Sequence, residues 1–93
     1  MDFEFDWQPD KAASNLKKHK VSFEEASTCV LDPLALTFPD GKHSDGEYRF
    51  LTFGRSTNGR LLIVSHTELG SNGIRIISAR KADRNERNIY EEG

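Results

Sequence analysis

The sequence is short of several things, and each shortage removes a class of protein. One cysteine, Cys29, cannot make an internal disulfide framework, which fits a reducing compartment. No apolar run approaches membrane-spanning length, and an N-terminus carrying Asp2, Glu4 and Asp6 is not a secretory signal. The expectation is a cytoplasmic protein with no membrane contact. Three scattered histidines give no metal-ligand spacing, no glycine-rich phosphate loop follows a strand, and there is no G-x-S-x-G elbow. Neither a metal site nor a nucleotide-binding loop is therefore expected. What remains is 93 residues, 35% of them hydrophobic, enough for one core and one domain spanning 1–93.

Cations are unevenly spread in a chain of net charge −2. Residues 1–10 are acidic, 11–20 carry Lys11, Lys17, Lys18 and Lys20, 21–47 are acidic again, and 48–87 hold every arginine. The two basic blocks become one patch if the fold joins them; otherwise they are solvated surface charge. The densest stretch is Ile74 to Tyr90, where an apolar strand ends in Arg80-Lys81 and runs into a helix with Arg84 and Arg87. Cations where a strand end meets a helix start suit phosphate.

The order of elements follows from periodicity. Phe3, Phe5 and Trp7 alternate with acids as in a half-buried strand. Pro9 and Asp10 suit the first turn of a helix whose small apolar face is Ala12, Ala13 and Leu16, and Lys17, Lys18 and His19 suit its last turn. Ser22 and Glu25 make a capping box for a second helix, with Val21 and Ala26 as its staple; its stripe is Phe23, Ala26 and Val30, and Asp32-Pro33 stops it. Cys29 is placed beside that stripe. An extended piece, Leu34–Phe38, and a polar loop, 39–47, lead to strands at Tyr48–Ser56 and Arg60–Glu68 around Asn58-Gly59, a strong hairpin signal. The class is α+β: an antiparallel sheet with two N-terminal helices and one at the C-terminus.

A two-residue turn at Asn58-Gly59 pairs Arg55 with Leu62 and Leu51 with His66. A loop over Leu69–Gly73 then pairs His66 with Ile76 and Leu62 with Arg80. In that register Arg55, Arg60 and Arg80 share one face at one end of the sheet, beside Lys81 and a helix opened by Asp83 and Glu86. Arg75 falls on the opposite face, towards Ser65 and Thr67, and His66 is a core histidine. A slip of one residue would separate the arginines.

The residues also resemble a known family. Phe5-Asp6-Trp7, then Lys11, Asn15, Lys18-His19, Val21 and Ser22-Phe23-Glu24-Glu25-Ala26, is similar to the opening of BrnT toxins. Arg75-Ile76-Ile77-Ser78-Ala79-Arg80-Lys81-Ala82, with Glu86-Arg87 and Tyr90, is similar to their close. The resemblance implies a RelE-like fold and a ribonuclease toxin of a bacterial type II toxin–antitoxin pair that curbs translation without a metal or cofactor. It implies a BrnA-like ribbon-helix-helix antitoxin as partner, with operator DNA bound only through the complex. Such toxins are commonly basic, and this chain is slightly acidic.

Carried onto this sequence, the resemblance gives Arg60 and Arg80 as the arginines set against the scissile phosphate. The ribose 2′-oxygen attacks its neighbouring phosphorus, guanidinium groups stabilise the growing charge, and His19 is the natural proton shuttle. Lys18, Arg55, Arg75, Lys81 and Arg84 are candidate RNA contacts. Plainer readings stand beside these. Arg60 can be a solvated hairpin end, Arg80 can cap carbonyls, His19 can be a helix-terminal cation, and Tyr90 can pack helix on sheet. The rival function is a binding module of a toxin–antitoxin complex without cleavage, engaging a protein partner or an operator.

Overall fold

Alternating side chains build the sheet, and the computed structural model, which describes residues 3–43 and 46–92, resolves them into β1 (Glu4–Asp6), α1 (Pro9–His19), α2 (Phe23–Val30), β2 (Leu36–Lys42), β3 (Tyr48–Arg55), β4 (Leu61–Leu69), β5 (Gly73–Lys81) and α3 (Arg84–Glu92). The strands lie in the order β1-β5-β4-β3-β2. Strands β2 to β5 pair antiparallel, whereas β1 runs parallel to β5 through Phe5–Ile74 and its neighbours. The sheet is therefore mixed rather than wholly antiparallel. The polar segment after Phe38 also departs from expectation, since β2 continues to Lys42 across a bulge between Pro39 and Lys42.

Two one-residue slips reorganise the expected register. Ser56, not Thr57, faces Arg60: the Ser56 N–H donates to the Arg60 carbonyl at 2.8 Å, and Gly59 sits at φ 84°. The hairpin thus has a loop of Thr57, Asn58 and Gly59, where glycine supplies the left-handed residue after a turn. Arg55 consequently pairs with Leu61 and Gly54 with Leu62. The second slip is a bulge in β5 around Ile77. His66 still faces Ile76, but beyond it Val64 faces Ala79 and Ile63 faces Arg80. Between Arg55 and Arg80 the slips cancel, so these two still share a face. That face is the one turned away from α2, while Arg60 goes to the α2 side; α1 lies along the outer flank of β5, where Asn15 meets the Ala79 backbone. The bulge also brings Arg75, which pairs with Thr67, onto the same face as Arg80.

The core lies between α2 and the sheet. Val21, Phe23, Ala26 and Cys29 pack on Leu62, Val64, Ile76 and Ala79, and Trp7 meets the Phe23 ring edge-on at 6.0 Å. Gly54 is obligatory there, because a β-carbon would lie 2.5 Å from the Cys29 carbonyl oxygen. The Cys29 thiol points at the Gly54 carbonyl (3.2 Å) and burial pushes it up to about 12, so it is a packing residue.

Helix α1 turns a different face inward from the one expected. Leu16 is half exposed, and Asn15 is buried in its place. The Asn15 carboxamide donates to the Val21 and Ala79 carbonyls, both at 2.9 Å, and accepts from the Ala79 N–H at 3.1 Å. One side chain thereby satisfies both backbone groups of Ala79, as a neighbouring strand would.

His66 is a core histidine, 5% exposed. Its Nε2 lies 2.7 Å from the Thr52 hydroxyl, which meets the Thr37 hydroxyl at 2.8 Å, while Nδ1 is buried without a partner among the described residues. Burial lowers its pKa to about 4. An unfolded histidine titrates near 6.5, so the folded state binds fewer protons between these values. Its contribution is intact above about pH 6.5 and is lost as pH falls towards 4, by about 3 kcal/mol. Urea unfolding at pH 7 and pH 4.5 should show this loss, and His66→Gln should flatten the dependence. An undiminished slope in that variant would assign it to other groups.

Candidate nucleic-acid interface

The last helix is opened by the box its sequence promises. The Glu86 N–H donates to Asp83 Oδ1 at 2.8 Å, and the Asp83 N–H donates to Glu86 Oε1 at 2.9 Å. Glu86 also takes the Arg80 guanidinium in a two-pronged contact, with both N···O distances 2.7 Å. That contact holds the Glu86 carboxyl below the usual carboxylate range. The Arg80 side chain is 45% exposed, so its outer surface faces solvent.

Arg60 is held from the other side. Its Nε donates to Glu25 Oε2 at 2.9 Å and its Nη2 to Glu25 Oε1 and to the Lys20 carbonyl. The Ser56 hydroxyl donates to Glu25 Oε2 at 2.7 Å. Arg60, acting against burial and joined by Ser56, lowers the Glu25 pKa. Only half of the expected capping box at α2 is therefore used: Ser22 Oγ accepts from the Glu25 N–H at 3.0 Å, but the Glu25 carboxylate turns to Arg60. Arg60 ties the α1–α2 corner to the hairpin and does not share a face with Arg55 and Arg80. The expected three-arginine convergence is thus replaced by a pair, Arg55 and Arg80, joined by Arg75.

Each of these is engaged. Arg75 pairs with Asp6 at 2.9 Å. Arg55 donates to the Gly59 carbonyl at 3.1 Å, and its guanidinium lies 5.6 Å from the centre of the Tyr90 ring. The Tyr90 hydroxyl donates to Asp32 Oδ2 at 2.6 Å, so Tyr90 anchors α3 instead of facing a site. Arg84, the first residue of α3, is exposed; Lys81 pairs with Leu62 at the helix-side end of β5.

Where α1 crosses β5 the residues converge differently. Lys11, Ser14, Asn15, Lys18, His19, Ile77 and Ser78 line one cavity of about 210 Å³. Arg80 follows Ser78 on the same strand face, about 7 Å farther along β5. His19 and Lys18 are thus brought beside the strand that carries Arg80, whereas Arg60 is not brought to Arg80. Lys11 and Ser78 were not singled out as contacts, although Lys11, Asn15 and Lys18 at i, i+4 and i+7 share a helix face. His43 lies 3.3 Å from Asp40, and Ser44 and Asp45 of its loop lie outside the described residues. Among the described residues no three His, Cys, Asp or Glu side chains are grouped to hold a metal ion, and no helix is long and apolar enough to cross a membrane.

An arginine-bearing sheet face beside a groove lined by lysines and histidine defines a small α+β protein suited to holding a polyanion. The model of the family described as the ribonuclease toxin, BrnT, of type II toxin–antitoxin systems matches residues 7–86, and the chain belongs to that family. Its class is therefore that of ribonuclease toxins, with RNA as target and an antitoxin as partner. Among solved structures, the 1.1 Å crystal structure of the Brucella abortus ribonuclease toxin BrnT is similar, with a TM-score of 0.68 at 22% identity over 89% of this chain and 100% of that one. That likeness concerns the fold. No curated protein sequence matches the chain.

Proposed function

We propose that this chain is a metal-independent endoribonuclease that works in the bacterial cytoplasm and curbs translation by cutting RNA. The 2′-oxygen attacks the adjacent phosphorus, the bond to the 5′-oxygen breaks, and the products are a 2′,3′-cyclic phosphate and a 5′-hydroxyl. One proton leaves the 2′-oxygen and one reaches the 5′-oxygen; His19 moves at least one of them. Arg80 stabilises charge on the phosphoryl oxygens, and Lys18, Arg55, Arg75, Lys81 and Arg84 hold the flanking backbone. The observation that carries this reading is the placing of Lys18 and His19 against Ser78, one step along β5 from Arg80. Arg60 commits its Nε and Nη2 to Glu25 and the Lys20 carbonyl, so its larger role is to fix the corner that presents His19. A BrnA-like ribbon-helix-helix antitoxin would cover the arginine face, and operator DNA would be met only through the complex.

A second reading, a binding module without cleavage, draws on one observation: Glu86 and Glu25 already occupy the forks of Arg80 and Arg60. Single-stranded RNA incubated with the purified chain in EDTA separates the two. The enzyme should yield fragments with cyclic phosphate and 5′-hydroxyl ends. Intact RNA with a folded protein would establish the module. Cleavage that EDTA abolishes would refute metal independence.

A further inference from the structure

We infer that the groove between α1 and β5 is a track for unpaired RNA that reads phosphate and ignores base identity, with Lys11 as its central contact; this rests on the ribonuclease reading above. Two cavities lie end to end along α1, about 290 and 210 Å³, and share Lys11 and Ile77. The first extends to Arg75 and the second to Lys18, His19 and Ser78. The groove therefore leads along β5 towards Arg80.

Its charge is informative because the whole chain is acidic, at net −2. The Lys11 and Lys18 side chains are exposed and enter no ion pair or hydrogen bond with another described residue. They stand seven positions apart on one side of α1, about 10 Å along its axis, so they can meet different phosphates of one strand. Arg75 is shared with Asp6, and Glu47 lines the same cavity, so the Arg75 end adds no net positive charge and the lysines carry the attraction.

Shape selects the substrate class. Cavities of about 290 and 210 Å³ are small enough to take a single strand piece by piece, whereas a duplex would meet only their rim. No Phe, Tyr or Trp lines either cavity, and His19 is the one ring there. Sites that hold successive bases of unpaired RNA stack them on several aromatic rings, and this groove offers a single imidazole among lysine and serine over an isoleucine floor. Contacts of that kind go to the backbone, which every sequence shares.

The test uses fluorescence anisotropy with a 2′-O-methyl oligonucleotide, which keeps the phosphates and cannot be cut. The unpaired oligonucleotide should bind at least about tenfold tighter than the same sequence in a duplex, and scrambling it should change Kd less than about threefold. Lys11→Gln should lower the salt dependence of log K by about 0.7, the increment for one phosphate contact on a single strand. Lys17→Gln, on α1 outside the groove, should leave it unchanged. Equal binding of duplex, strong dependence on sequence, or an unchanged salt slope in Lys11→Gln would each overturn the track. If these occur while unmodified RNA is still cut, the ribonuclease reading survives; if unmodified RNA is neither bound nor cut, both fall.

Discussion

Replacing Arg80 by alanine should lower RNA cleavage by about a hundredfold to a thousandfold while leaving the fold intact. Removing one preformed donor from a developing oxyanion has an effect of that order. The competing explanation is that Arg80 merely fastens α3 through Glu86. Its side chain is 45% exposed, and an ion pair that open is worth about 1 kcal/mol or less. That is too little to unfold the domain and far too little to account for the expected loss of rate. Glu86→Gln decides the matter. It removes the carboxylate from the guanidinium, so cleavage should hold or rise if Arg80 meets substrate. If Glu86→Gln is as inactive as Arg80→Ala, with both proteins folded, Arg80 is a fastener for α3 and the assignment is wrong.

Arg60→Ala should act through stability. Glu25 is buried, and without Arg60 its carboxylate keeps Ser56 but loses its counter-charge. Breaking a fully buried pair from one side costs about 3–5 kcal/mol. The Arg60 side chain is 31% exposed, so about 2 kcal/mol is the better figure. In a domain of this size that lowers Tm by roughly 10 °C. Calorimetry beside cleavage assays at low temperature gives the reading: activity should return in part when the variant is kept folded. An unchanged Tm with lost cleavage would instead make Arg60 a substrate contact. Acid should imitate the substitution, because the lowered pKa of Glu25 means its contribution is present above the unfolded value and is lost as pH falls below it.

Much of the chain was legible because local chemistry and tertiary demand agree. Pro9, Ser22 and the Asp83–Glu86 pair mark helix starts that any helix there would need, and Lys18, His19 and Arg80 sit in short, cation-rich segments. Register was not legible. Asn58-Gly59 serves a two-residue or a three-residue loop equally well, because glycine at positive φ is wanted in both. The Ile76-Ile77 pair gave no sign that one isoleucine would be squeezed into a bulge, since both are apolar and either can face the core. Asn15 was hidden for a related reason. Beside Ala12 and Leu16 the leucine is the natural inward residue, and only the bare backbone of β5 makes an amide the better fit.

That amide bears on how the protein behaves in company. Beyond Asp6 the flank of β5 has no strand alongside it among the described residues, and exposed strand flanks recruit other chains. Asn15 occupies the Ala79 groups that an incoming strand would need. On the opposite flank β2 carries Pro39, which lacks an N–H, and the bulge that follows it. Resistance to fibre-like self-association thus rests at one margin on a carboxamide and at the other on an imino acid.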